Sequence, residues 1–313
     1  MRKNNLSSFV VLALVAMVSS AKAETFDIST HATDVDPACR QQHNDPFDLG
    51  WRLSKKSEAF PLVCLSTLTM RPVQILGDSR TTMRFANFYH KGLYWTASWN
   101  KQTNRPKVQF YNVHFDSGVA FVIAGHTELQ FAFPEDIDLV SQTTGEHQTT
   151  RNVVISWEAV FPKGVAYNLV MGIAPSYGLA GRVLSLETRV PENILPDGSL
   201  RQTDVYDLSL TSAEGAFLFQ ESVRESSGLG FSQFYETIAK NCTSQLFDIL
   251  DAVLQTMDPK RLVGVGPFQT EVVLDPIIKP SREALISRGL IKANTKPKNL
   301  AKLMNLPPGR TAR

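Results

Sequence analysis

Alternation of apolar and polar positions dominates the first two thirds of the chain and predicts β-strands. Runs rich in aromatic and β-branched residues are separated by turn clusters such as Gly77-Asp78-Ser79. The predicted strands cover residues 62–68, 84–89, 93–98, 108–114, 119–124, 127–133, 152–161, 167–171, 183–190 and 202–210.

Helical periodicity appears only toward the C-terminal end. Apolar residues at spacings of three and four predict helices over 212–223, 231–239 and, most clearly, 242–257. In the last of these the apolar positions are Leu246, Ile249, Leu250, Val253, Leu254 and Met257. Strands followed by helices indicate an α+β fold with an antiparallel sheet. Residues 24–115 are expected to form an N-terminal β-rich region.

The N-terminus has the three parts of a secretory signal peptide. Arg2 and Lys3 precede an apolar run over 9–18, and Ala21-Lys22-Ala23 forms a small-x-small cleavage site. We therefore expect residues 1–23 to be removed during export. No later stretch stays apolar for the roughly 18 residues that a membrane span requires, so a soluble protein in the periplasm is expected.

Export decides how the three cysteines are interpreted. Cys39 and Cys64 lie in the same N-terminal region and can pair across a short loop in an oxidising compartment. Cys242 is then the free thiol. Two interpretations of Cys242 stay open, a reactive nucleophile and a small buried hydrophobic side chain, since free cysteines are often buried and inert.

Basic residues are concentrated at the C-terminal end. The whole chain has a formal net charge of +2, yet from position 279 onward nine basic residues face the single acid Glu283. Residues 276–313 are therefore predicted to form a basic tail, which is either drawn to an anionic membrane surface or merely solvated. Basic and aromatic residues do not interleave on one face, so nucleic acid is not expected as a partner.

The candidate chemistry centres on Cys242 and His126. Cys242 directly precedes the apolar spacing of the 242–257 helix, where orphan N–H groups and the helix dipole favour a thiolate. His126 lies in a segment with strand-like alternation and is the best candidate for the accompanying base.

Other kinds of site lack a sequence signal. The chain has no Gly-x-Ser-x-Gly, no P-loop and no glycine-rich dinucleotide turn. Its six histidines are scattered, without His-x-x-x-His or Cys-x-x-Cys spacing, so we expect neither a metal nor a cofactor.

Three motifs resemble the Lnb N-terminal periplasmic domain family. Gly125-His126-Thr127 with Leu129-Gln130-Phe131 is similar to its Gly-His-Thr-x-Leu-x-Phe element. The stretch from Asp204 to Thr211 is similar to its acidic-hydrophobic strand. Tyr235 followed by Asn241-Cys242-Thr243 is similar to its tyrosine and Asn-Cys-Thr/Ser motif. The resemblance covers roughly residues 110–260 and suggests a thiol-enzyme domain over 116–275.

The resemblance implies a circularly permuted papain-like fold of the NlpC type, with Cys242 as nucleophile on a helix and His126 as its base. Amides at the start of that helix would stabilise the oxyanion. The third catalytic residue stays open between Glu187, Glu158 and Gln130, with Glu187 as the first choice.

The implied activity is hydrolysis or acyl transfer at an amide or ester of the cell envelope. Its substrate would be a lipid, a lipoprotein or a peptidoglycan peptide. The alternative is a non-catalytic periplasmic binding or scaffold protein that retains the fold, with Cys242 buried and His126 in a structural role.

Overall fold

The computed structural model describes residues 51–52, 64–65, 70–116, 123–160, 177–229, 233–236, 241–265 and 282–307. The predicted signal peptide, the strand predicted over 167–171 and Cys39 lie outside these ranges. The disulfide between Cys39 and Cys64 therefore stays a prediction. Cys242 is a free, buried thiol.

The described residues contain twelve strands, and ten of them form one sheet. In chain order the strands are β1 (Trp51–Arg52), β2 (Cys64–Leu65), β3 (Gln74–Asp78), β4 (Thr82–His90), β5 (Leu93–Asn100), β6 (Lys107–Asp116), β7 (Ile123–Ser141), β8 (His147–Val160), β9 (Tyr177–Ser185), β10 (Thr203–Asp207), β11 (Gln233–Tyr235) and β12 (Lys298–Asn299). The sheet runs β11-β9-β4-β5-β7-β6-β10-β12, with β3 on β4 and β8 between β7 and β9, while β1 and β2 pair separately. One sheet thus joins strands from both sides of position 116.

Five strands, β4, β5, β7, β8 and β9, close into a barrel. Each pairs with the next, and β9 returns to β4 through the parallel pair of Tyr89 and Leu184. Closure depends on β7, which pairs with β6 as far as Ala132 and with β5 near its C-terminal end. The register shifts between Ala132 and Ile137, around Pro134. A proline, which cannot donate to a ladder, is tolerated at such an irregularity.

The described helices are α1 (Leu186–Glu192), α2 (Ser212–Leu229), α3 (Cys242–Met257), a 3₁₀ turn (Pro259–Leu262), α4 (Arg282–Ser287) and α5 (Leu300–Leu303). Together with the sheet, these helices confirm the α+β class, and α3 has the bounds that its apolar spacing predicts. None of these helices is both long and apolar enough to cross a membrane.

Helices α2 and α3 build the main core against the sheet. Phe219 of α2 contacts four aromatic rings edge-on at centroid distances of 4.8 to 6.2 Å: Phe85, Trp99, Phe131 and Phe133. The apolar stripe of α3, from Leu246 to Leu254, is buried in the same core. A second core includes Val190 of α1, Leu300 of α5 and Val154 of β8.

Two stretches differ from the sequence-based expectation. The strand predicted over 183–190 ends at Ser185, whose side chain accepts the amide of Thr188 and caps α1. A hydroxyl at this position offers the backbone a helix start in place of a longer strand. Conversely, part of the segment predicted as a helix over 231–239 forms β11, which pairs with β9.

The described part of the basic tail is packed on the folded body. Leu285 and Leu290 are in the main core. Arg288 is 2% exposed and donates to both carboxylate oxygens of Asp251 at 2.5 and 2.6 Å. Lys298 pairs with Asp207. Residues 282–307 are thus an integral part of the fold and not a solvated end.

Helix α2 approaches the sheet closely at Gly181 of β9. A Cβ there would lie 2.3 Å from Ser226 Oγ and 2.7 Å from its Cα. Because the backbone of α2 would have to move, we expect Gly181→Ala to destabilise the protein by about 1–3 kcal/mol. Urea unfolding measures this change. Gly228→Ala, at an exposed position of the same helix with no atom within 4 Å, is the control and should be neutral or stabilising. Equal midpoints for both variants would contradict the proposed close approach.

Candidate active site

The N-terminus of α3 is fixed by a capping box around Cys242. The side-chain oxygen of Asn241 accepts hydrogen bonds from the backbone amides of Thr243 and Ser244 at 2.9 Å each. The backbone amide of Asn241 donates to Ser244 Oγ at 2.9 Å. Cys242 is therefore the first residue of the helix, as its sequence context predicts. An anionic sulfur at this position is favoured by the positive end of the helix dipole.

An opening between β7 and β8 receives the thiol. The pairing of these strands ends at Glu128 and Ser156, after which β8 continues on β9 alone. The edge of β7 before Glu128 thus faces the start of α3. Sγ lies 4.0 Å from the Gly125 carbonyl oxygen, and the nearby Thr127 amide is among the groups that lower the thiol pKa. Thr127 Oγ1 also donates to Thr243 Oγ1 at 3.2 Å, which links the strand to the helix.

His126 is brought beside Cys242, close enough for the imidazole and the thiol to shift each other's pKa. The histidine side chain is 12% exposed, and its ring meets Phe115 edge-on at a centroid distance of 6.2 Å. On the other side, His126 Nε2 lies 3.3 Å from Glu128 Oε1. Residues two apart on a strand point to the same face, which explains how Glu128 reaches the ring.

Glu128 is the carboxylate beside the histidine, and the sequence interpretation did not select it. Its side chain has no solvent exposure. Arg189 of α1 donates to Oε1 from Nε at 2.6 Å and also from Nη2. The available signal was the two-residue alternation from His126. The arginine that makes burial of Glu128 tolerable lies 61 positions away in sequence.

The three candidates for the third residue occupy other places. Glu187 lies in the first turn of α1, and its Oε2 accepts a hydrogen bond from Thr150 at 3.2 Å. Gln130 donates to Asn152 at 3.0 Å. Glu158 lies near Arg189, the partner of Glu128, with 3.3 Å between Glu158 Oε1 and Arg189 Nη2. Within the described ranges, none of the three contacts His126 directly.

The charge cluster behind the imidazole contains five residues: Glu128, Glu158, Arg182, Arg189 and Glu192. Arg189 Nη1 donates to Glu192 at 2.9 Å, and Arg182 pairs with Glu192 at 2.5 Å and with Glu158 at 3.7 Å. Burial alone would raise the pKa of Glu128 and that of Glu158, but the guanidiniums outweigh it. They lower the pKa of Glu128, with help from His126, and lower that of Glu158 to about 2. Glu128 and Glu158 therefore stay ionised at neutral pH.

Cys242 and His126 shift each other's ionisation. Burial would raise the thiol pKa, yet the imidazolium of His126 and the hydrogen bonds to the sulfur lower it to about 7. Burial likewise opposes protonation of His126, but Cys242 and Glu128 raise its pKa to about 10. Near and above neutral pH the pair is thus a thiolate beside an imidazolium, the reactive form of a cysteine nucleophile.

The cap at Asn241 occupies two of the backbone amides that were predicted to stabilise an oxyanion at the start of α3. The amides of Thr243 and Ser244 are both held by Asn241 Oδ1. The Cys242 amide, at the first helical position, is the candidate that this cap leaves for a developing oxyanion.

The remaining predicted positions lie apart from this chemistry or outside the described ranges. Tyr235 is buried in β11, opposite Tyr177 of β9. Cys64 lies in β2, and Cys39 is not described. In the described part of the chain, no group of three histidine, cysteine or acidic side chains is arranged to hold a metal ion.

Comparison with known proteins agrees with the motifs at Gly125-His126-Thr127 and Asn241-Cys242-Thr243. No curated protein and no solved structure matches the chain. The family model described as the Lnb N-terminal periplasmic domain matches residues 95–275, more than half of the chain, including both motifs. The protein therefore belongs to the Lnb N-terminal periplasmic domain family.

Proposed function

We propose that this periplasmic protein is a thiol hydrolase or acyltransferase that acts through Cys242 and His126 on an amide or ester of the cell envelope. The observation that carries the proposal is the pairing itself. A free thiol at a helix N-terminus lies beside an imidazole that has a buried carboxylate behind it. Nucleophile, base and orienting acid in this order form the common arrangement for acyl transfer.

In the proposed reaction the Cys242 thiolate attacks the substrate carbonyl, and the Cys242 amide stabilises the resulting oxyanion. The imidazolium of His126 gives its proton to the leaving amine or alcohol, and a thioester remains on the sulfur. Neutral His126 then takes a proton from the acceptor, which attacks the thioester and releases the acyl group. Water as acceptor gives hydrolysis, whereas another hydroxyl or amine gives acyl transfer.

Glu128 acts by holding the imidazole and stabilising its positive charge. Arg189 in turn holds Glu128 through two donors to one oxygen. A circularly permuted papain-like arrangement is part of the proposal. The histidine strand comes before the cysteine helix in the chain, and the helix meets the sheet at its N-terminus.

The substrate class follows from the family's compartment and is itself a proposal: a lipid, a lipoprotein or a peptidoglycan peptide. A second candidate function is a non-catalytic binding or scaffold role. It is favoured by the burial of Cys242, which is 4% exposed. Thiol reactivity and turnover separate the two candidates.

Replacing either member of the pair should abolish turnover. We expect Cys242→Ala, His126→Ala and the double variant to lose activity to a similar extent, because a nucleophile and its base act as one unit. Cys242→Ser should also be inactive, since a hydroxyl has a far higher pKa than a thiol. The assay follows release from fluorescent lipid esters and peptidoglycan peptides and looks by mass spectrometry for an adduct on Cys242. Full activity in Cys242→Ala would exclude Cys242 as the nucleophile, whereas a wild type that turns over none of these substrates would favour the binding role.

The reactivity of Cys242 should follow the ionisation of the pair. We expect its alkylation by iodoacetamide to fall as the pH drops through about 7, because the thiolate is then protonated. In His126→Ala the thiol keeps its burial but loses the cation, so its pKa should rise. Alkylation at pH 7 should then slow by about tenfold or more.

His147→Ala is the control for this experiment, because His147 is exposed at the start of β8. Its pH profile should overlay that of the wild type. Identical profiles for His126→Ala and wild type would contradict the ion pair.

Glu128 and Glu187 give a direct test of the third residue. Glu128→Gln removes the charge beside His126 and should lower turnover by at least about tenfold, and by up to about 10⁴-fold as for other triad carboxylates. Glu187→Gln should have little effect, because Glu187 is exposed and bonded to Thr150. The pH profile of Cys242 alkylation and thermal unfolding are measured for both variants. A loss of activity in Glu187→Gln alone would reverse the assignment.

A further inference from the structure

Arg201 stands beside the candidate active site, and no described residue gives it a charged partner. It precedes β10, and its guanidinium carbon lies 4.7 Å from the ring centroid of Phe115 at the end of β6. The same ring meets the imidazole of His126 edge-on. One aromatic side chain therefore separates the guanidinium from the histidine.

The register of three strands places these groups on one side of the sheet. Thr203 of β10 is opposite Val113 of β6, and Val113 is opposite His126 of β7. Directly opposed residues share a face, and so do residues two apart. Arg201 lies two positions from Thr203, and Phe115 lies two positions from Val113. Both side chains are therefore on the same face of the sheet as His126.

The bonding of Arg201, which is half-buried, differs from that of the buried arginines. Arg182, Arg189 and Arg288 each donate to a carboxylate. In the described part of the chain, no carboxylate pairs with Arg201, and its Nε is buried without a hydrogen-bond acceptor. The nearest acid in sequence, Asp204, is engaged by His114 at 3.1 Å. A charged donor left without an acceptor is costly in the free protein, and a ligand oxyanion would satisfy it.

The charges around the Cys242 sulfur leave a role for Arg201 as a cation that attracts an anionic substrate. The ion pair of Cys242 and His126 is neutral in sum, and the cluster behind it holds three acids against two arginines. This excess of negative charge would repel an anionic substrate. Arg201 is a positive group at the site that is not already neutralised by these acids.

We propose that Arg201 binds an oxyanion, a carboxylate or a phosphate, of the compound whose carbonyl reacts at Cys242. The inference rests on the proposed function of the Cys242–His126 pair and adds a substrate class, acyl compounds with an anionic group near the scissile bond. Arg201 is a substrate-binding residue in this proposal and takes no part in proton transfer. Its planar fork can hold either oxyanion through two parallel hydrogen bonds.

Matched alkylating reagents test the proposal on the full-length protein. The carboxylate arm compares N-iodoacetyl-β-alanine with its neutral methylamide, and the phosphate arm compares N-iodoacetyl-O-phosphoethanolamine with N-iodoacetylethanolamine. The alkylation rate of Cys242 is measured for each reagent. The preference for the anionic member of a pair should fall about threefold to fivefold in Arg201→Gln, the range of one partly exposed ion pair.

Two variants serve as controls. Arg201→Lys keeps the charge and should retain most of the preference, while Arg84→Gln removes an exposed positive charge on β4 and should leave it unchanged. The arm in which the preference appears identifies the oxyanion as carboxylate or phosphate.

The outcomes separate this inference from the proposed function. An unchanged preference in Arg201→Gln, with neutral reagents still reacting at the wild-type rate, would overturn the role of Arg201 and leave the thiol site standing. Equal slowing with neutral and anionic reagents would overturn it as well, because it would mark Arg201 as structural. A wild-type Cys242 that reacts with none of the reagents would overturn the proposed function.

Discussion

The buried carboxylate of Glu128 is the charge on which the rest of the site depends. An isolated carboxylate without solvent exposure is too costly to keep ionised, so it must be compensated by cations at close range. Arg189 supplies that compensation from α1, and His126 supplies a second positive group from the same strand. Removing one partner of such a buried pair typically costs about 3–5 kcal/mol. The docking of α1 on the sheet and the orientation of the imidazole are therefore coupled.

Backbone geometry makes the second contribution. Where β7 and β8 separate beyond Glu128 and Ser156, the sheet loses the hydrogen bonds that would otherwise occupy the edge of β7. The Thr127 amide is then available to the sulfur of Cys242. A continuous ladder would have used this edge and kept α3 out. The cap at Asn241 fixes the start of α3, which carries the thiol. The position of the thiol is therefore set by two backbone features, the free edge of β7 and the capped start of α3.

Local patterns could be predicted from sequence, whereas pairings over long distances could not. The apolar spacing of α3 and the residues around its start gave its bounds and the place of Cys242. The strand alternation around His126 placed it on β7. Glu128 was missed because its burial depends on an arginine 61 residues away, and no local sequence pattern shows that pairing. Glu187 was preferred because 183–190 was interpreted as a strand, and the cap at Ser185 turns that segment into α1.

The packing of residues 282–307 escaped the same kind of reasoning. Their composition is that of a solvated basic segment, yet Leu285, Leu290 and Leu300 are buried and Arg288 is paired with Asp251. Composition counts charges but does not say which are neutralised by acids elsewhere in the fold. Arg201 illustrates the reverse case: acids lie nearby in sequence, yet among the described residues no carboxylate pairs with it, and its Nε has no hydrogen-bond acceptor.

Burial and reactivity act on the Cys242 thiol in opposite directions. A lone thiol at 4% exposure would stay protonated, because a low-dielectric surrounding disfavours its charged form. The same surrounding strengthens the attraction between the thiolate and the imidazolium once both charges are present. Burial therefore disfavours a thiolate alone but favours a thiolate paired with the imidazolium of His126. The charge separation belongs to the docked arrangement of α3, β7 and α1, since each element supplies a group that the sulfur or its histidine requires.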